Sequence, residues 1–446
     1  MAVQNQPPRL AFYPLIVIGI IVLLAVVTAL SGFFHRHPTH HVSAAPVKAA
    51  RVTPRQVAMR AAQQFMTDFQ TRNFQAQWAR LSPSARQLWP SKSARDRMLA
   101  VKFSHIHPRV SLGQPASGAT WFSRESAGHG IPHLWRIPVT VRFSRPATAA
   151  SAYRHLALYI RVAAGRATIV GEGPASIDAP IIMPAHIQPR QVHVPILMYH
   201  RVGPFPQRSG WDSTYGYEIE YGLTVSPAEF RAQMAYLAGH GYRAISFPRL
   251  FDALLYGLPL PKKSVVLTFD DGRQSPYFYA LPVLRRYGFN ATFFICAGFA
   301  GQTNETPSHL NVQHYLSWRQ MATLSRLGMW IEDHGVKDIN PLYTLSPAAL
   351  KTEVGATARE IIAHTGQPVQ FVAYTGELWP FPKASESDAT LQTMFSRLSA
   401  LGYVGAVTDT RDPGATEVSN QLLQLPRVRV QPNETIPAFA ASLHTR

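Results

Sequence analysis

Two adjacent carboxylates, Asp270 and Asp271, follow the apolar run Val265-Val266-Leu267-Thr268-Phe269 and precede Gly272. A core strand is poorly ended by two unpaired acids, because carboxylates resist desolvation. The same run is well suited to presenting both acids at the mouth of a parallel sheet, where C-terminal strand ends carry chemistry. One acid can take a proton from water while its neighbour holds a cation. Asp and Gly are also ordinary turn residues, so the pair alone equally fits a strand followed by a polar turn. His200 ends a second short apolar run, Val194-Pro195-Ile196-Leu197-Met198-Tyr199, and could face the same mouth as an acid. The plainer reading of His200 is a hydrogen-bonded rim histidine.

The elements around these residues are those of a large, basic chain. It has 446 residues, 46% of them hydrophobic, and a formal net charge of +18. That length suits two or three domains. Lys and Arg are scattered rather than clustered, which argues against nucleic acid as a partner. The single cysteine, Cys296, sits in an apolar run and reads as a core residue; no intrachain disulfide can form. Residues 13–34 hold an uncharged apolar stretch of spanning length, expected to be an uncleaved membrane anchor behind the tail 1–12. The His- and Pro-rich stretch 35–52 reads as a tether, since no Cys or carboxylate completes a metal set there.

From Thr53-Pro54 onward, helical spacing of Phe65, Phe69, Phe74 and Trp78 gives way to alternation in Ile137–Phe143 and Leu156–Val162. Helices followed by antiparallel strands predict an α+β module over 53–178. Residues 179–193 read as a linker, 194–435 as a second domain and 436–446 as a tail. In the second domain, 203–222 reads as a long loop and Ala244–Phe247 as a strand. Strands and helices then alternate through strand Gly405–Thr408, which predicts an α/β fold with a mostly parallel sheet in a closed or partly closed barrel.

Residues 194–431 carry Pro195–His200, Leu223-Thr224-Val225 with Phe230 and Gln233-Met234, and Leu267–Gly272, followed by Ala291–Phe294, Tyr315–Trp318 and Leu425–Val428. Together these motifs resemble the polysaccharide deacetylase family, the NodB-homology or carbohydrate esterase 4 domain. The nearest branch is the one acting on poly-β-1,6-N-acetylglucosamine. The resemblance implies a distorted (β/α) barrel and metal-dependent N-deacetylation of an aminosugar polymer, with Zn, Co or Mn as cofactor. It makes Asp270 the base and Asp271 a metal ligand. It also implies an exported or envelope location, on the periplasmic or extracellular side, although the flanking charges Arg9, Arg36, Lys48 and Arg51 slightly favour the opposite orientation. The 53–178 module resembles the NTF2-like fold and is expected to act as a spacer or interaction domain.

Two departures stand out. The family's His-x3-His metal motif reads His334-Gly335-Val336-Lys337-Asp338 here, so His334 is the expected second ligand and Asp338 occupies the place of the third. Asp can ligate zinc, but two carboxylates bring roughly two negative charges to the ion where the family brings one, which favours harder ions. The third motif reads Phe371-Val372-Ala373-Tyr374-Thr375-Gly376-Glu377, without the family's Pro-Tyr or an Arg to orient the base. Tyr374, Trp211 and Trp379 are the aromatic residues expected to meet sugar rings. These departures set an alternative beside the enzyme: a catalytically inactive glycan-binding or scaffold protein.

Overall fold

The computed structural model describes residues 52–444, except 124–129, 144–154, 177–178, 180, 185–189, 209–213, 306–311, 340–341, 376–387, 409–415 and 419–421. The expected membrane anchor, Trp211 and Trp379 lie outside the described residues. Among those described, no helix is long and apolar enough to cross a membrane.

Thr53 opens the first helix, Pro54–Gln70, through a capping box with Gln56, and Pro54 suits its first turn. Short helices Phe74–Arg80, Pro83–Arg86 and Lys92–Lys102 follow. They pack on an antiparallel sheet in which strand Ile131–Arg142 pairs with Arg109–Leu112, Ala116–Trp121 and His155–Ala163. Strand Arg166–Gly173 completes the sheet beside His155–Ala163. The alternating residues Ile137, Val139 and Val141 meet Phe65, Phe69 and Leu99 in one core.

The second sheet is parallel. Strand Ser264–Phe269 lies between Ile196–Tyr199 and Thr292–Ile295. Trp330–Asp333, Phe371–Ala373 and Gly405–Val407 continue outward in that order. These strands are buried on both faces, so they read as continuous apolar runs rather than alternating ones. One segment joins the two edges. Leu425 bridges to Val407, and three residues later Val428 pairs with Leu197. The sheet therefore curls back on itself, and Arg427 sits where its edges meet.

Several boundaries differ from expectation. Residues Thr214–Gly222 form a helix inside the stretch expected to be loop. Ser246 caps a helix, Phe247–Tyr256, where the sequence suggested a strand through Phe247. Phe247, Leu250, Phe251 and Leu254 of this helix fill one face of the parallel sheet, so its apolar period of 3–4 was hidden by the short strand Arg243–Ala244 before it. The expected tail contains a helix, Ile436–Ser442, anchored by the fully buried Phe439. The expected linker is tied down too: Ile181 exchanges backbone hydrogen bonds with the Gln370 side chain at 2.9 and 3.1 Å.

The α+β module and the parallel-sheet domain share a buried boundary. Lys102 Nζ lies 3.0 Å from Asp252 Oδ1, with both side chains nearly sealed from water. Trp330, the first residue of its strand, packs into the module's own core.

Candidate active site

Asp270 and Asp271 leave the central strand at the C-terminal edge of the parallel sheet. Asp271 and Gly272 both have left-handed backbone, at φ 66° and 70°. Asp tolerates this region better than most residues. A Cβ on Gly272 would stand 3.2 Å from Cβ of Ile295. The tight turn sends the two acids to different surroundings.

Asp270 is 2% exposed and Arg427 is fully buried. Arg427 Nη1 and Nη2 donate to the two carboxylate oxygens at 2.8 and 2.7 Å, a bidentate pair. Arg427 Nε donates to the Thr408 carbonyl at 2.8 Å, so the guanidinium is fixed from both sides. Burial alone would raise the Asp270 carboxyl. Arg427 outweighs it, with help from His334 and His200, and holds the group below the usual carboxylate range.

Asp271 is only partly buried. Arg273 Nε lies 3.2 Å from Oδ2, and His334 Nε2 lies 3.5 Å from Oδ1. These partners and the nearby His200 overcome burial and push the Asp271 carboxyl far below its ordinary range. Arg273 is itself held by Glu220 at 3.0 Å, and Glu220 also pairs with Arg201 at 3.0 Å. Glu220 belongs to the Thr214–Gly222 helix, so that helix is clamped to the mouth by charge.

His334 follows strand Trp330–Asp333. Its Nδ1 donates to the Ala373 carbonyl at 2.9 Å, which leaves Nε2 facing Asp271. Burial would lower its pKa, but the hydrogen bond to Asp271 and the charges of Asp270 and Asp338 raise it to about 9 in the metal-free protein. Beneath it, the buried Asp333 accepts from Gly335 N at 2.7 Å and contacts the Tyr403 hydroxyl at 2.5 Å. The same hydroxyl lies 2.9 Å from the Val354 carbonyl. A phenol has one proton for two acceptors, so a protonated Asp333 donating to Tyr403 satisfies both contacts. Burial raises Asp333 to about 8, in keeping with that arrangement.

The expected triad of Asp271, His334 and Asp338 is not assembled. Among the described residues, no three His, Cys, Asp or Glu side chains stand together closely enough to hold a metal ion. The reason is the turn after His334. Gly335 has φ 86°, and Glu353 Oε1 accepts from Val336 N at 3.0 Å and Lys337 N at 2.8 Å. This cap carries the chain outward and leaves Asp338 exposed, with left-handed backbone at φ 59°. Desolvation, with Asp271 and Asp270 adding to it, raises its pKa to about 6 against the pull of His334 and Arg273.

Two ligand positions do fit a divalent ion. Ligands ~2.1 Å from a tetrahedral centre are about 3.4 Å apart. The 3.5 Å between Asp271 and His334 matches that edge, and the imidazole tautomer is correct for ligation.

Other expected residues fare differently. His200 follows its strand to the same rim, and its charge acts on both Asp270 and Asp271. Tyr374 is not a groove residue: it is 2% exposed, and its hydroxyl donates to the Leu423 carbonyl at 2.9 Å, so its ring faces protein. Arg427, which is not among the expected site residues, is the partner that orients the base. The available signal was an arginine inside Leu425-Pro426-Arg427-Val428, since a buried guanidinium demands an acid.

The polysaccharide deacetylase family profile matches residues 257–392, which include the acid pair and His334. The chain is 28% identical over 253 residues to YxkH of Bacillus subtilis, whose name places it among the polysaccharide deacetylases; the match covers 56% of this chain and 76% of that protein. It is 26% identical over 255 residues to poly-beta-1,6-N-acetyl-D-glucosamine N-deacetylase of Escherichia coli, covering 50% of this chain but 36% of that one. The solved Streptococcus pyogenes deacetylase PplD, in complex with acetate, aligns over 57% of this chain and all of its own, with 26% identity and a TM-score of 0.45. With the acid pair and its histidine neighbour at the edge of one curled parallel sheet, residues 257–392 match the polysaccharide deacetylase family of hydrolases.

Proposed function

We propose that this protein removes N-acetyl groups from an N-acetylaminosugar polymer, of the poly-N-acetylglucosamine or cell-wall type, at the cell envelope. The observation that carries the reading is the division of labour at the strand end. Asp270 is locked ionised by Arg427, while Asp271 points at His334 Nε2.

In hydrolysis, water oxygen bonds to the acetamide carbonyl carbon, the C–N bond breaks, and the amine leaves with a proton. Asp270 is the acceptor for the water proton. A carboxylate held below its usual range is a weak base, so it works only on water that is already acidified. A divalent ion bound by Asp271 and His334, with Asp338 closing as third ligand, would supply that acidification and polarise the carbonyl. We assign to His200, which follows its strand beside the acid pair, the return of a proton to the amine. The aminosugar substrate is that named for the Escherichia coli relative, and the envelope location rests on the apolar N-terminal stretch.

The open position of Asp338 favours a second reading, a glycan-binding protein without turnover. Acetate release from poly-β-1,6-N-acetylglucosamine and from peptidoglycan fragments, with Zn²⁺, Co²⁺ or Mn²⁺ added, separates the two. Release that stops on adding a chelator supports the deacetylase. Binding of polymer without acetate under every ion selects the second reading.

A further inference from the structure

Asp271 divides its two oxygens between neighbours of different kinds. Oδ1 lies 3.5 Å from His334 Nε2, and Oδ2 lies 3.2 Å from Arg273 Nε. Arg273 is held firmly in that place. Its guanidinium lies 5.1 Å from the centre of the Tyr315 ring, and its backbone forms an antiparallel bridge with the same residue. Gln274 N donates to the His314 carbonyl and Leu316 N to the Gly272 carbonyl, both at 2.8 Å, so the chain is pinned on either side of Arg273.

Glu220 stands behind it and accepts from Arg273 Nη2 and from Arg201 Nη1, each at 3.0 Å. Two guanidiniums share this one carboxylate, so the row Arg201, Glu220, Arg273 brings a net positive charge up to Asp271. The row is largely buried, and buried charges are screened little by salt. Asp270 is already matched by Arg427 and does not enter this balance.

That positive charge has a use. A divalent ion held by two carboxylates, Asp271 and Asp338, would be largely neutralised and would acidify water less. A cation on Asp271 draws charge back from the donor set. The charge of Arg273 also reaches Asp338, where it and His334 oppose the rise caused by burial, Asp271 and Asp270. We infer that Arg273, braced by Glu220, is a positioning residue that offsets Asp338: it occupies one oxygen of Asp271 and balances the second carboxylate, so that an ion held by both acids keeps its pull on water. The inference rests on the metal-dependent reading above, and Arg273 acts only through Asp271 and Asp338.

A cycle of full-length wild type, Arg273→Met, Asp338→His and the double variant tests it. Arg273→Met leaves Glu220 paired with Arg201, so no buried acid is orphaned. Mn²⁺ affinity is read by competition with a chromogenic chelator, and acetate release is read at saturating Mn²⁺ and one fixed pH. Removing a positive charge beside the ion should tighten Mn²⁺ about tenfold while acetate release falls by about as much. Asp338→His should weaken Mn²⁺, and the double variant should return affinity and release to within about threefold of wild type, because the two charge changes cancel. An arginine that only orients its ligand gives the opposite sign: its loss weakens the metal roughly 10–100-fold in both backgrounds. That result, or a double variant no better than Arg273→Met, overturns the inference. If Arg273→Met loses its cooperative melt, Glu220→Gln decides. It moves the balance the other way and should weaken Mn²⁺, and an unchanged affinity overturns the inference. Wild type that binds no divalent ion ends the metal-dependent reading together with this one, whereas metal binding that Arg273→Met leaves unmoved ends this one alone.

Discussion

The two banks of the candidate active site are built to different standards. On one bank, Asp270 and Arg427 form a sealed bidentate pair where the edges of the curled sheet meet. On the other, His334 is fixed by Ala373, but four residues later Asp338 stands exposed beyond a glycine turn. The first bank is part of the fold, because breaking it leaves a charge in the core. The second is a loop whose last member can be changed with little cost to folding. A substitution of His by Asp at that place is therefore tolerated by the scaffold, whatever it does to chemistry.

The contrast is broken most severely at Asp270. Asp270→Asn should reduce acetate release by roughly 10²–10⁴-fold, the range of a lost general base. It keeps the shape of the pair but removes its charge. Comparable acetate release by wild type and variant would show that Asp270 is not the base. Next in size is Arg427→Met, which leaves Asp270 buried without its partner. Such one-sided losses cost about 3–5 kcal/mol. Asp270 has a depressed pKa in the folded state, so its contribution is present above the unfolded carboxylate value and is lost as pH falls through the folded one. The stability gap between Arg427→Met and wild type, read by denaturant unfolding, should accordingly be wide at neutral pH and narrow in acid. A gap that does not change with pH would mean the pair stabilises by packing alone.

The sealed bank was only half legible in the sequence. An apolar run ending in Asp-Asp-Gly announces a strand end by local pattern, and the β/α alternation follows from periods that a strand or helix must show. The Asp270–Arg427 pair spans 157 positions and depends on how the sheet curls, which no local period encodes. The Phe247–Tyr256 helix was misread because Ala244-Ile245-Ser246-Phe247 has strand-like composition, while Ser246 acts as an N-cap. Tyr374 was expected in the groove because aromatic residues in loops often meet sugars, yet burial, not residue type, decides which way a ring points. The open bank was legible as a substitution, His to Asp. Its consequence was not, because the outward path of residues 335–338 is set by the Glu353 cap on two backbone amides.

The difference between the banks sharpens further in metal affinity. His334→Ala should abolish stoichiometric Zn²⁺ or Co²⁺ binding, since it removes one of the two positioned donors. Asp338→Ala should weaken binding by only about tenfold, in the range of supporting rather than primary groups. Asp338→His, which restores the family spacing, should tighten Zn²⁺ relative to Mn²⁺ by replacing a hard anionic donor with a neutral one. Metal content after dialysis and competition with a chromogenic chelator would measure all three. Equal losses from His334→Ala and Asp338→Ala would mean that the loop closes fully on the ion and that both banks are equally rigid once loaded.

The smallest effect concerns the proton that a metal must displace. In the metal-free protein, Asp271 and its neighbours raise the pKa of His334 to about 9, above its ordinary 6.5. A raised histidine contributes stability that is fully present below the unfolded value and is lost as pH rises through the folded one. With chelator present, wild type should therefore melt above His334→Gln at pH 6, and the two should converge by about pH 10. The offset should be a few degrees, given roughly 2–4 °C per kcal/mol for larger domains. Ligation requires the neutral imidazole, so metal affinity should climb across the same interval as the stability difference fades. Melting curves that stay parallel from pH 6 to pH 10, with affinity flat, would detach His334 from both roles and leave the second bank without a positioned ligand.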